Sequence, residues 1–156
     1  MLENILAHDR GIVVYATASV EADVMSVLRN FADAYANRDK RRLLNLFCTD
    51  RDVVLLGSGC DERNVGINAA LGQIRRDWEQ TDTLRMRFGW RSVSTMGQVA
   101  WLATDCYLYV QAGYRRAEVP MRITAVMIQT EDGWKIAQLH YSSPISVESD
   151  VDTCLE

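Results

Sequence analysis

Apolar residues recur along this chain with two different periods, and the change of period divides it into a helical first half and a stranded second half. Val24, Val27, Leu28, Phe31 and Tyr35 fall at helical spacing. With Ser19 as N-cap and Glu21 and Asp23 in the first turn, where the helix dipole favours acids, they predict a helix over 20–37. Asp39 caps a short second helix that presents Leu43, Leu44 and Phe47, and the β-branched run over 52–56 predicts a first strand. A turn through Gly57 and Gly59 follows. The cleanest helix opens after Gly66: Ile67, Ala70, Leu71, Ile74 and Trp78 share one face, with Gln73, Arg75, Arg76 and Glu79 on the other.

From Thr83 the period becomes two. Leu84, Met86, Phe88 and Trp90 alternate with Arg85, Arg87, Gly89 and Arg91, the pattern of a strand with one wet face. Strands over 99–110 and 121–129 follow, and Asp132-Gly133 marks a tight hairpin before a last strand over 134–142. Connections this short imply antiparallel neighbours. The later strands are apolar on both faces, as where Trp101, Tyr107 and Tyr109 back onto Leu102, Cys106 and Leu108. Such a sheet needs two covers. The helices supply one, and a second copy of the chain, in a homodimer through the outer sheet face, supplies the other.

A chain of 156 residues is long enough for one sizeable core. The order of elements divides it into an N-terminal extension 1–18, a domain 19–146 and a flexible acidic tail 147–156 carrying Glu148, Asp150, Asp152 and Glu156. A net charge of -4 argues against a nucleic-acid partner, whose binding draws on clustered Lys and Arg. The run Arg38, Lys40, Arg41 and Arg42 reads as a solvated helix face. No apolar run approaches membrane-spanning length, and Glu3, His8, Asp9 and Arg10 do not suit a secretion signal, so a cytoplasmic protein with reduced cysteines and no membrane partner is expected. With His8 and His140 its only histidines, the chain offers no zinc site, and the carboxylate pair Asp61-Glu62 has no further ligand spacing; no metal and no cofactor are expected.

Several strings, in this order, resemble the nuclear transport factor 2-like superfamily and its SnoaL-like branch. They are Val54-Leu55-Leu56-Gly57-Ser58-Gly59, Asp61-Glu62 with Gly66, Arg76-Asp77-Trp78, and Gly133-Trp134-Lys135-Ile136 followed by His140-Tyr141-Ser142. The resemblance spans about 20–144. It implies an α+β fold: a conical barrel of a curved antiparallel mixed sheet wrapped around three helices from the N-terminal half, with a cavity at its open end. Related members that are ketosteroid isomerase-like or polyketide cyclase-like use a pocket Asp as base beside a Tyr, Asp or His. Others are dehydratases, oligomerisation hubs or proteins with no known ligand.

Two polar residues interrupt otherwise apolar strands and are the candidate catalytic groups. Asp105 shares its face with Trp101 and Tyr107, and is either a general base or a structural partner of Arg122. His140, counted two by two from Trp134 and Ile136, reads as inward, with Ser142 on the same face; it is either a pocket acid–base group or a core histidine. Tyr35, Trp78, Trp90, Trp101, Tyr107, Arg122 and Ser142 are the candidate ligand-binding residues. Three functions fit: a domain binding a small apolar or amphipathic molecule, an isomerase, dehydratase or cyclase using Asp105 or His140, or an oligomerisation module.

Overall fold

The computed structural model of the protein describes residues 15–49 and 52–144, so the segments 1–14 and 145–156, and with them most of the expected extension and the whole of the expected tail, lie outside the described residues. Helix α1 spans Ala18–Ala36 and begins earlier than the sequence suggested, because Thr17 and not Ser19 caps it: the Thr17 hydroxyl accepts the Val20 N–H at 3.3 Å. The start is fixed from outside the helix. Tyr15 bridges Ser94, and the Ala16 N–H donates to the Val93 carbonyl at 3.2 Å, so the incoming chain is pinned to a strand before it turns. Asp39 caps α2, Lys40–Leu46, as its position predicts, accepting the Arg42 N–H at 3.0 Å.

The remaining elements are β1 (Val54–Leu56), β2 (Arg63–Val65), α3 (Ile67–Gln80), β3 (Thr83–Met96), β4 (Val99–Ala112), β5 (Arg115–Thr130) and β6 (Gly133–Ser142). Three residues are too few to show a period, which is why β2 escapes a sequence reading; it forms because it pairs with β1, Val54 opposite Val65. The six strands make one sheet in the order β2-β1-β6-β5-β4-β3. All neighbours are antiparallel except β1, which runs parallel to β6. The fold is thus α+β around a mixed sheet that does not close, with β2 and β3 as its edges.

On the face turned toward the helices, β4 contributes Ala100, Leu102, Thr104 and Cys106, and β5 contributes Met121, Ile123, Ala125 and Met127, all buried. They pack with the α1 residues Val24, Met25, Leu28 and Phe31 in one core. The opposite face carries Trp101, Ala103, Asp105, Tyr107 and Tyr109, since side chains alternate along a strand.

The alternation breaks at two places. On β3 the register against β4 slips between Phe88 and Arg91, where three steps on β3 match two on β4. The Thr104 hydroxyl donates to the Trp90 carbonyl at 2.8 Å and seals the bulge. Beyond it Arg91 lies on the helix side, donating to Glu21 of α1 at 2.7 Å, while Trp90 is 62% exposed. On β6 the slip adds Ala137: Met127 faces Ile136, yet Val126 faces Gln138. An extra residue exchanges the two faces of everything after it. Leu139 is therefore buried and Tyr141 turns inward, whereas Gln138, His140 and Ser142 take the outer face.

Candidate functional site

Helices α1 and α3 converge over one end of the sheet and enclose a cavity of about 220 Å³. Its wall is mostly apolar, from Phe31, Leu55, Ile74, Leu108, Val110 and Met121. Against this wall stands a connected set of polar groups brought by the helices and one turn. The Tyr35 hydroxyl, in the last turn of α1, donates to Asp77 Oδ2 on α3. One turn back on α3, Gln73 Nε2 donates to Asp77 Oδ1 at 2.9 Å and to Glu62 Oε1 at 3.2 Å, while Gln73 Oε1 accepts from Arg76 at 2.6 Å. Arg76 thereby fixes the amide so that its nitrogen faces both carboxylates.

Each member is held from behind. Trp78 donates its indole N–H to the Tyr35 carbonyl at 2.9 Å and packs its ring edgewise on the Tyr35 ring, centroids 6.0 Å apart. Glu62 is folded back over its own turn, where Glu62 Oε2 accepts the Gly59 N–H at 3.0 Å and its carbonyl accepts the Gly57 N–H at 2.8 Å. A Cβ on Gly57 would overlap the Glu62 carboxylate, so the turn requires glycine there.

Burial governs the electrostatics. It raises the Asp77 carboxyl above the usual carboxylate value, more than the hydrogen bonds from Tyr35 and Gln73 lower it, and nearby Glu62 adds to the rise. Burial beside the Asp77 charge also holds the Tyr35 phenol well above its ordinary range, so Tyr35 remains a donor. Across the cavity Tyr141, from β6, is raised well above its ordinary value by burial. Its fully buried hydroxyl has no hydrogen-bond partner among the described residues. Tyr35, Gln73 and Asp77 find their partners within the protein, whereas the buried Tyr141 hydroxyl is left with an unspent donor that an oxygen acceptor could take.

Of the residues singled out in the sequence, Tyr35 lines the cavity and Trp78 stands directly behind it. The others do not line it. Asp105 and His140 lie on the outer face, and the expectation that they share a cavity is corrected: Asp105 alternates with the buried Thr104 and Cys106, and the Ala137 bulge turns His140 away. Ser142 follows His140 outward, with Arg122 opposite it and Asp105 opposite Arg122 across the ladder. Trp90, Trp101 and Tyr107 are also on the outer face, the last under the Arg87 guanidinium at 4.8 Å. The polar cavity residues that sequence reasoning did not single out as a site are Gln73, Asp77, Glu62 and Tyr141. The available signal for two of them was their placement: Gln73 and Asp77 are one turn apart and flank the Ile74 and Trp78 stripe. Among the described residues no group of His, Cys, Asp and Glu is arranged to hold a metal ion, and no helix is long and apolar enough to cross a membrane.

The sequence model of the SnoaL-like domain matches residues 24–146. No curated protein matches the chain significantly. Among solved structures, the chain is similar to a provisionally assigned dehydratase of the NTF2-like family from Streptomyces avermitilis, with 17% identity, TM-score 0.79, and coverage of 83% of this chain and 100% of the other. A provisionally assigned aromatic ring hydroxylase from Novosphingobium aromaticivorans is 16% identical with TM-score 0.75, over 84% of this chain and 93% of its own. The hexachlorocyclohexane dehydrochlorinase LinA-type3 from Novosphingobium barchaimii is 12% identical with TM-score 0.70, over 81% and 88%. At these identities the likeness is one of fold.

Proposed function

The chain belongs to the SnoaL-like domain family, within the nuclear transport factor 2-like superfamily, and from that premise we propose that its cavity binds a small, mostly apolar molecule through a single oxygen acceptor. The observation that carries this reading is the Tyr141 hydroxyl, buried and unpartnered beside an apolar wall. A buried donor left unpaired costs about 1–3 kcal/mol, which a bound carbonyl or hydroxyl oxygen would recover. A cavity of about 220 Å³ is below the roughly 300 Å³ at which pockets for drug-sized ligands begin, so the ligand is compact.

Acetophenone and ethylbenzene, alike in shape and differing in the oxygen, test it by NMR titration. Both should shift resonances of Leu108, Val110 and Met121, and Tyr141→Phe should weaken acetophenone about tenfold while leaving ethylbenzene unchanged. If neither molecule perturbs those residues, or the variant weakens both equally, the reading fails.

A second reading, acid–base turnover of isomerase or dehydratase type, is favoured by Asp77. Burial raises its carboxyl above the usual carboxylate value, which makes it a stronger base, and Tyr141 can stabilise charge developing on a substrate oxygen. The neighbours named as a dehydratase and a dehydrochlorinase fit this reading, since eliminations of water or hydrogen chloride remove a proton from the substrate. Here the test is exchange of the acetophenone methyl protons in D₂O: acceleration by the protein that disappears in Asp77→Asn supports turnover, and no acceleration leaves a binding protein.

A further inference from the structure

The charge at the cavity has one sign. Its ionisable lining consists of Glu62, Asp77 and the phenols Tyr35 and Tyr141, and among the described residues no lysine, arginine or histidine stands in its wall. The two carboxylates converge, because one nitrogen, Gln73 Nε2, donates to Asp77 at 2.9 Å and to Glu62 at 3.2 Å. Arg76, the cation of this network, is engaged at the far end of the same amide, at 2.6 Å from Gln73 Oε1, and is not part of the cavity wall.

Two like charges in one partly buried site repel each other. Burial raises the Asp77 carboxyl most, and the Glu62 charge raises it further. The backbone nonetheless holds the pair together: Glu62 lies so close over its turn that a Cβ on Gly57 would come within 1.9 Å of Glu62 Oε2. Nor are the carboxylates saturated. Asp77 accepts from Tyr35 and Gln73, and Glu62 accepts from Gln73 and the Gly59 N–H, which leaves about half of the roughly four acceptor positions on each carboxylate open. The same cavity therefore holds spare acceptors on the helix side and, at Tyr141, a buried donor without a partner on the strand side.

We infer that the cavity takes a small apolar amine that also carries an oxygen, its ammonium received by Glu62 and Asp77 and its oxygen by Tyr141. This deepens the binding reading given above and rests on it. An ammonium has three N–H donors and no acceptor, which suits two unsaturated carboxylates, and hydrogen bonds between ionised partners are about twice as strong as neutral ones. Asp77 has already lost much of its water on folding, so the desolvation that opposes binding is mainly the ammonium's own. A carboxylate or phosphate in the same place would meet like charge, and the site discriminates against it.

NMR titration of the full chain at pH 7 with benzylammonium, benzyl alcohol and benzoate, close in size and different in charge, tests the inference at the resonances of Leu108, Val110 and Met121. Benzylammonium should bind at least about tenfold more tightly than benzyl alcohol, and benzoate more weakly than either. Asp77→Asn and Glu62→Gln should each lower the ratio of ammonium to alcohol affinity at least about threefold, and together bring it near one. The ratio is taken within each variant, so a general loss of affinity or of folded protein does not imitate the effect. Equal affinities for the amine and the alcohol in the parent overturn the inference, as does a preference for benzoate or a ratio that survives both substitutions. Acetophenone binding through Tyr141 without any preference for benzylammonium sinks this inference and leaves the binding reading standing; cavity resonances that respond to none of these molecules sink both.

Discussion

The two faces of β4 belong to one strand and differ in almost everything else. Its even-numbered residues from Ala100 to Val110 are buried in the core or line the cavity, under α1 and α3. Its odd-numbered residues carry the larger rings and the one acid, with Trp101 39% and Tyr109 36% exposed. The bulkier and more aromatic face is thus the one without a helix over it. Hydrophobic character along the strand was a poor guide to which face is inside, because the helices select the face by offering small-scale complementarity to Ala100, Leu102 and Cys106. The chemistry follows the helices too: of the polar groups at the cavity, only Tyr141 comes from a long strand.

The largest effect separating the two faces should be on stability. Phe31 is wholly buried and packs edge-on against Phe47, so Phe31→Ala should cost about 3–5 kcal/mol in urea denaturation. Trp101→Ala should cost about 1 kcal/mol or less. Comparable losses that grow with protein concentration would instead show the outer face covered by a second copy, the homodimer that two apolar faces suggest.

A smaller effect should appear in the pH dependence at the site. Asp77 has its carboxyl raised in the folded state, so the folded protein holds that proton more tightly than the unfolded chain. Below the unfolded value, about 3.9, both states are protonated and Asp77 carries no penalty. As pH climbs toward the raised value the unfolded chain ionises first and folding loses stability. Asp77→Asn should therefore melt higher than the parent at pH 7, with the difference closing as pH falls toward 4. A difference constant across that range would mean that the substitution acts through hydrogen bonds and not through charge.

The smallest effects are expected on the outer face. Asp105→Asn and His140→Gln should each change stability by about 0.5 kcal/mol or less and leave acetophenone binding unaltered. A change in binding of more than about threefold for either would mean that the outer face communicates with the cavity.

Helix α3 and strands β4 to β6 were legible because each presents a long run with one dominant period, and the Asp39 cap and the Asp132-Gly133 hairpin were legible because their chemistry is local. The missing pieces all depend on distant partners. The start of α1 is set by a strand some seventy residues away, β2 exists only through β1, and the two bulges are properties of a register between strands and have no signature within either one. Of the site only Tyr35 and the Trp78 behind it showed in the sequence, for a related reason. Tyr35, Glu62, Gln73 and Asp77 come from a helix end, a turn and the flank of another helix, and their convergence is made by the fold; a search for polar residues inside apolar strands finds Asp105 and His140 instead.

Ala137 shows how little separates one outcome from the other. Were Ala137 paired within the ladder and not bulged out of it, strict alternation from Trp134 would aim His140 into the cavity and send Tyr141 out, exchanging a phenol for an imidazole. In a strand that borders a pocket, register is a coordinate of the chemistry: whether one residue bulges out of the ladder or pairs within it decides which functional group faces the cavity, while leaving every functional group in the sequence unchanged.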